Sequence, residues 1–120
     1  MKRILVVEDT EDNRQIIRDL LTSAGYEMIE ALDGAQGVAM AAEHKPDLIL
    51  MDMQLPVLDG YEATRRIKAD PALAHIPVIA VTSYALSGDE AKTRAAGCNA
   101  YVAKPFSPRQ LLAKVREFLG

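Results

Sequence analysis

The sequence predicts an α/β fold, a doubly wound five-stranded parallel sheet with helices on both faces, and three observations carry that reading. Short runs rich in β-branched residues recur five times, separated by stretches of helix length. Three of the runs, at 4–7, 48–51 and 78–81, are apolar without alternation, the pattern of strands covered by helices on both faces. The intervening stretches carry helical periodicity and helix-end signals. A repeated βα pattern of this kind implies right-handed crossovers and a parallel sheet, although periodicity alone leaves both doubly wound strand orders open.

Taken in order, the first strand is Ile4-Leu5-Val6-Val7. The helix after it places Ile16, Ile17, Leu20, Leu21 and Ala24 on one face, and Gly25 follows where a left-handed residue ends a helix. Met28-Ile29 is the second strand, and Leu48-Ile49-Leu50-Met51 the third. Asp59-x-x-Glu62 has capping-box spacing and opens the next helix. After the fourth strand, Val78-Ile79-Ala80-Val81, a second such box, Ser87-x-x-Glu90, opens a helix that offers mainly Ala91, Ala95 and Ala96 to a core, so this helix is expected to be the loosest packed. The fifth strand is Tyr101-Val102. The last helix opens on Ser107-x-x-Gln110 with Pro108 in its first turn, and turns Leu111, Leu112, Val115, Phe118 and Leu119 inward.

At 120 residues the chain is expected to be one domain, 1–120, with no internal linker or repeat. With 49% hydrophobic and 26% charged residues, disorder is excluded as the main state. The net charge of −3, with no stripe of lysine and arginine, argues against direct nucleic-acid binding. The single cysteine, Cys98, reads as a small buried hydrophobe, and a chain without an internal disulfide suits a reducing compartment. No signal-peptide core or membrane-length apolar run is present, so a cytoplasmic protein without membrane insertion is expected. His44 and His75 are expected in solvated loops.

In an open parallel sheet, ligands bind beyond the carboxyl ends of the strands. The residues there are Glu8-Asp9, Asp52, Thr82-Ser83 and Lys104-Pro105. Each has an ordinary structural explanation on its own, as a helix cap, a loop acid or a solvated amine. Their conjunction does not. Two carboxylates about 4 Å apart repel by about 4 kcal/mol at an effective dielectric of about 20, and three compound that cost. Either one carboxyl stays protonated or a cation joins the group. Oxygen ligands without histidine or cysteine point to Mg²⁺ or Mn²⁺ in preference to Zn²⁺, and Lys104 alone cannot balance three acids. An anion bringing its own oxygens would complete the site, and phosphate is the obvious candidate. Aspartate can attack phosphorus, while an ammonium, a hydroxyl and main-chain amides stabilise the transferring group.

With these residues in view, the sequence resembles a bacterial two-component response-regulator receiver domain over its whole length. The resemblance rests on Glu8-Asp9, on Leu50-Met51-Asp52-Met53-Gln54-Leu55-Pro56 followed by Asp59-Gly60, on Pro77 through Thr82 and on Lys104-Pro105. The run from Pro77 through Ala85, with Gly88-Asp89 and Ala96-Gly97-Cys98 to Tyr101, is similar to stand-alone cell-division regulators of the DivK type and to receivers of hybrid histidine kinases. The resemblance implies a (βα)5 flavodoxin-like fold with strand order 2-1-3-4-5. It implies phosphorylation of Asp52 from a phosphohistidine on a histidine kinase or phosphotransfer protein. Mg²⁺ would be bound by Asp9, Asp52 and the main-chain carbonyl of Gln54, with Glu8 acting through water. Thr82, Ser83 and Lys104 would contact the phosphoryl group, and the Lys104–Pro105 bond would be cis. Thr82 and Tyr101 would form the switch that alters the surface of the fourth helix, fifth strand and fifth helix for a downstream protein. The resemblance further implies a monomer or a weak phosphorylation-dependent dimer. Gln54 and Tyr84 stand where this family tunes phosphoryl lifetime. No output domain follows Gly120 in the sequence, so output is expected through protein contacts.

Three other readings compete. A Mg²⁺-dependent phosphohydrolase with an aspartyl intermediate would have Asp-x-Asp after the first strand and a cap domain. A flavodoxin-like redox carrier would place a hydroxyl- and glycine-rich loop where Glu8-Asp9 stands. A degenerate receiver serving as a scaffold would lack part of the set Asp9, Asp52, Thr82 and Lys104.

Overall fold

In the computed structural model, which describes residues 1–82 and 89–120 without the side chains of Asp89 and Glu90, strand and helix alternate through the chain. The elements are β1 (Arg3–Val7), α1 (Glu11–Ser23), β2 (Glu27–Ala31), α2 (Gly34–His44), β3 (Leu48–Asp52), α3 (Gly60–Ala69), β4 (Val78–Thr82), α4 (Asp89–Ala96), β5 (Ala100–Ala103) and α5 (Pro108–Leu119). All four pairings are parallel, in the order β2-β1-β3-β4-β5. Each strand therefore ends on the same rim of the sheet.

The unbroken apolar strands divide between two cores because successive side chains point to opposite faces. Leu5, Val7, Ile49, Met51, Val78 and Ala80 pack with Ala41 of α2 and Ala63 and Ile67 of α3. Ile4, Val6, Leu48, Leu50 and Ile79 pack with Ile17 and Leu21 of α1 and Leu111 and Val115 of α5. Cys98 is buried in the first core, as its sequence reading requires.

Helix ends follow their local chemistry. Ser107 and Gln110 form the full reciprocal box on α5, with Pro108 in the first turn. On α3 only half of the box forms. Asp59 accepts from the Glu62 amide, while the Glu62 carboxylate turns to Arg65 and Arg66. The Ser87 box lies outside the described residues. Gly25 is left-handed at φ 91°, as expected after α1.

Four expectations need correction. Ile16, placed on the inner face of α1, is 51% exposed, and its place beside Ile17 and Leu21 is taken by the buried Arg14. Phe118, near the end of α5, is likewise exposed. On α4, Thr93 and Ala96 are buried while Ala91 and Ala95 face out, because an alanine stripe gives the helix little preference for one rotation. His44 is the last residue of α2 and half-buried, not a loop residue. His75 is exposed in the α3–β4 connection. No helix among the described residues is long and apolar enough to cross a membrane.

Candidate functional site

The rim formed by the strand ends gathers the acids. Glu8 follows β1 and is fixed there by its amide, which donates to the Ala31 carbonyl at 3.1 Å. Asp52 closes β3 opposite Val81 of β4, and the next amide, of Met53, donates to the Val81 carbonyl. Lys104 leaves β5 with its amide on the Thr82 carbonyl at 2.7 Å. The sheet register itself thus sets Glu8, Asp52, Thr82 and Lys104 side by side. Gly60 shapes the far wall: a Cβ there would lie 2.2 Å from the Asp52 carbonyl oxygen, so only glycine lets α3 begin so close to the strand end.

Glu8 and Asp52 are only 2% and 4% exposed. Lys104 Nζ donates to Glu8 Oε1 and to Asp52 Oδ2, each at 3.0 Å. The other Asp52 oxygen accepts from the Gln54 amide at 3.0 Å. Glu8 also accepts from the Thr10 amide and from Asn13 Nδ2, both at 3.2 Å. One carboxylate oxygen from each of Glu8, Asp9 and Asp52 lies within 4.8 Å of the others.

Three acids and one amine leave an excess of negative charge. Two unit charges at 4.8 Å repel by about 3.5 kcal/mol at an effective dielectric of about 20. Partial withdrawal from water raises Asp9 above its ordinary carboxylate value, and the neighbouring Glu8 carboxyl adds to the rise. Burial alone would lower Lys104, but Glu8 and Asp52 outweigh it and hold the amine above its usual value. A hard divalent cation fits this donor set, because its ligands are all oxygen, lie within 4.8 Å of one another and carry the charge that it needs.

Of the residues singled out by sequence, Glu8, Asp9, Asp52 and Lys104 come together directly, and Thr82 is buried at the adjacent strand end. Gln54 is exposed on the loop after β3. Tyr101 is half-buried on β5, packed against the α3-side core and paired in register with Ala80. The Lys104–Pro105 peptide bond is cis. Ser83, Tyr84 and the remainder of 83–88 lie outside the described residues. Sequence reasoning missed Asn13 and Arg14, which reach back from the first turns of α1 to the Glu8 side chain and carbonyl. The available signal was their spacing, five and six residues after Glu8, which brings a helix following a tight turn back over the strand end.

A family model described as the response regulator receiver domain matches residues 4–116. The chain belongs to this family. The receiver is 46% identical over 119 residues to the polar-differentiation response regulator DivK of Brucella anthropi, covering 99% of this chain and 97% of that one. The receiver domain of a sensor histidine kinase from Pseudomonas aeruginosa, whose structure has a magnesium ion coordinated in its active-site cleft, is 43% identical, with a TM-score of 0.92 over 99% of this chain and 98% of that one. The Vibrio cholerae chemotaxis protein CheY4 has the same TM-score at 28% identity and 98% coverage of both chains. The strand order and the five helices are those of such receivers, and the protein is a DivK-like response regulator receiver.

Proposed function

We propose that this receiver works as a single unit over 1–120 in which the Asp52 carboxylate accepts a phosphoryl group from a phosphohistidine on a histidine kinase or phosphotransfer protein. The observation that supports this most is the placement of Asp52. It is buried at the strand end with one oxygen on Lys104 Nζ, and Glu8 and Asp9 crowd within 4.8 Å. In the transfer, the P–N bond to the imidazole breaks and a P–O bond to Asp52 forms. The imidazole nitrogen keeps the electron pair and takes a proton.

Mg²⁺, or Mn²⁺ in its place, would be held by Asp9, Asp52 and the main-chain carbonyl of Gln54, with Glu8 acting through water, and would neutralise negative charge at the transferring group. Lys104 exchanges its contact with Asp52 for the phosphoryl oxygens, and Thr82 and Ser83 supply further donors. Movement of Thr82 toward the new group, with Tyr101 turning inward, carries the change to the α4-β5-α5 surface for a downstream protein target. The protein is a cytoplasmic switch, monomeric or weakly dimeric when phosphorylated, whose own chemistry is limited to taking and losing that group. A hydrolase of small phosphoesters is disfavoured because Asp9-Thr10-Glu11 replaces Asp-x-Asp after β1.

The test is incubation with acetyl phosphate and Mg²⁺. The expected result is base-labile incorporation approaching one phosphoryl group per chain, absent in Asp52→Asn. Full labelling of Asp52→Asn, or sustained turnover of a small phosphoester, would overturn the assignment.

A further inference from the structure

Among the described residues, three charged side chains are buried: Glu8, Asp52 and Arg14. Two are acids of the site. The third stands in the second turn of α1 at 8% exposure, and no role in phosphoryl transfer accounts for it. Burying a guanidinium is costly unless its donors are matched, and here each of its three nitrogens faces an acceptor. Nη1 donates to the main-chain carbonyl of Glu8 at 2.8 Å, Nη2 to the Glu11 carboxylate, and Nε lies 3.2 Å from Glu30 Oε1. Glu30 is in turn gripped by Arg18 through both oxygens, Nε to Oε2 at 3.0 Å and Nη2 to Oε1 at 2.5 Å.

The target of Nη1 is the informative part. The Glu8 amide is already tied to Ala31 at the end of β2. With its carbonyl tied to Arg14, both polar groups of the Glu8 main chain are fixed, one from the sheet and one from the helix. The peptide that leaves this carbonyl is the one that carries Asp9. The half-buried Lys68 shows what a merely structural clip looks like. Lys68 Nζ donates to the carbonyls of Ala74 and Ile76 and to Asn99 Oδ1, but it lies at the opposite rim, where β4 and β5 begin, and touches nothing in the site.

We propose that Arg14 is a positioning residue for the divalent cation: by fixing the Glu8 carbonyl it holds the Glu8-Asp9 peptide in the one orientation that aims both carboxylates at Asp52. The inference rests on the reading of the acid cluster as a metal site. The planar fork is what the position requires, because it meets three acceptors in fixed directions, whereas a lysine ammonium is a single point charge on a flexible stem. Loss of a group that orients a metal ligand typically weakens metal affinity by about 10–100-fold.

The test is the Mg²⁺ dissociation constant, by calorimetry, of the wild type, Arg14→Met, Arg14→Lys and Glu30→Gln, each with its melting temperature. Arg14→Met is expected to weaken Mg²⁺ about tenfold, the low end of that range, and Arg14→Lys by less. Arg14→Lys keeps the charge and the aliphatic stem, so it serves where the methionine variant does not fold. Glu30→Gln disturbs the same ion-pair cluster without touching the Glu8 carbonyl, and is expected to lower the melting temperature while leaving Mg²⁺ affinity unchanged. Wild-type affinity in a folded Arg14→Met or Arg14→Lys would overturn the proposal and leave the metal reading standing. No uptake by the wild type would overturn the metal reading itself.

Discussion

Lys104→Met removes the cation that stands between two buried carboxylates and keeps the bulk of the stem. In the native site Nζ is 3.0 Å from both Glu8 Oε1 and Asp52 Oδ2. Removing one partner from a buried ion pair costs about 3–5 kcal/mol, because the charge left behind has lost its compensation. An independent figure comes from the acids themselves, whose repulsion at 4.8 Å is about 3.5 kcal/mol at an effective dielectric of about 20. The two agree on about 3.5 kcal/mol, which at about 4 °C per kcal/mol for a domain of this size lowers the melting temperature by about 14 °C in metal-free buffer at neutral pH. The sign with pH is also fixed. Lys104 has a raised folded value, so the stability it contributes is complete below the ordinary lysine range and is lost as pH rises through that raised value. Mg²⁺ should recover more in the variant than it adds to the wild type, since the amine and the cation compete for the same oxygens, and a ligand at 100-fold its dissociation constant contributes about 2.7 kcal/mol. Calorimetric or fluorimetric melts of both proteins, with and without Mg²⁺, measure each quantity. Equal metal-free melting temperatures, or an equal gain on adding Mg²⁺, would refute the electrostatic reasoning.

Other consequences can be checked separately. Val57, 83% exposed with φ 68°, sits in a γ-turn closed by the Leu58 amide on the Pro56 carbonyl at 2.7 Å, a conformation that strains a β-branched residue. Val57→Asn should therefore raise stability by about 1 kcal/mol in urea melts; a loss would show that the turn is not strained. Gly60→Ala should cost about 3 kcal/mol, because its Cβ would meet the Asp52 carbonyl at 2.2 Å and must move backbone rather than a side-chain tip. Urea unfolding decides it, a change below about 1 kcal/mol counting against the close approach. Hydrogen bonds from Arg18 hold Glu30 below the ordinary carboxylate range. Its contribution is thus present above the unfolded value and lost as pH falls through the folded one. Glu30→Gln should flatten that part of the acid limb of stability against pH, and an unaltered limb would contradict the pairing.

What the sequence discloses depends on whether the signal is local. Unbroken apolar runs such as Leu48 to Met51 mark strands covered on both faces because no other placement avoids exposing one side, and acids immediately after such runs must then share a rim. Ser107 and Gln110 were legible for the same reason, since box and helix are made by the same four residues. The Asp33–Gln36 pair carries the same spacing, and the Asp33 side chain caps α2 by accepting from the Gln36 amide, yet it is easily passed over because Asp33 also reads as the end of a strand. Arg14 takes the buried place expected of Ile16 for a reason no window contains. Two of the three acceptors that make burial of Arg14 tolerable come from β2 and from the main chain after β1, so those partners exist only once the sheet has formed. The rotation of α4 was illegible because alanine at 91, 95 and 96 offers the core almost the same small surface from several directions.

The central claim is that the crowding of Glu8, Asp9 and Asp52 is resolved by a divalent cation, and a calorimetric Mg²⁺ titration of the wild type beside Asp9→Asn tests it most directly. The account predicts saturable uptake at a single site in the wild type, with affinity sharply reduced in Asp9→Asn. Absence of uptake through millimolar Mg²⁺, or identical isotherms for the two proteins, would contradict it.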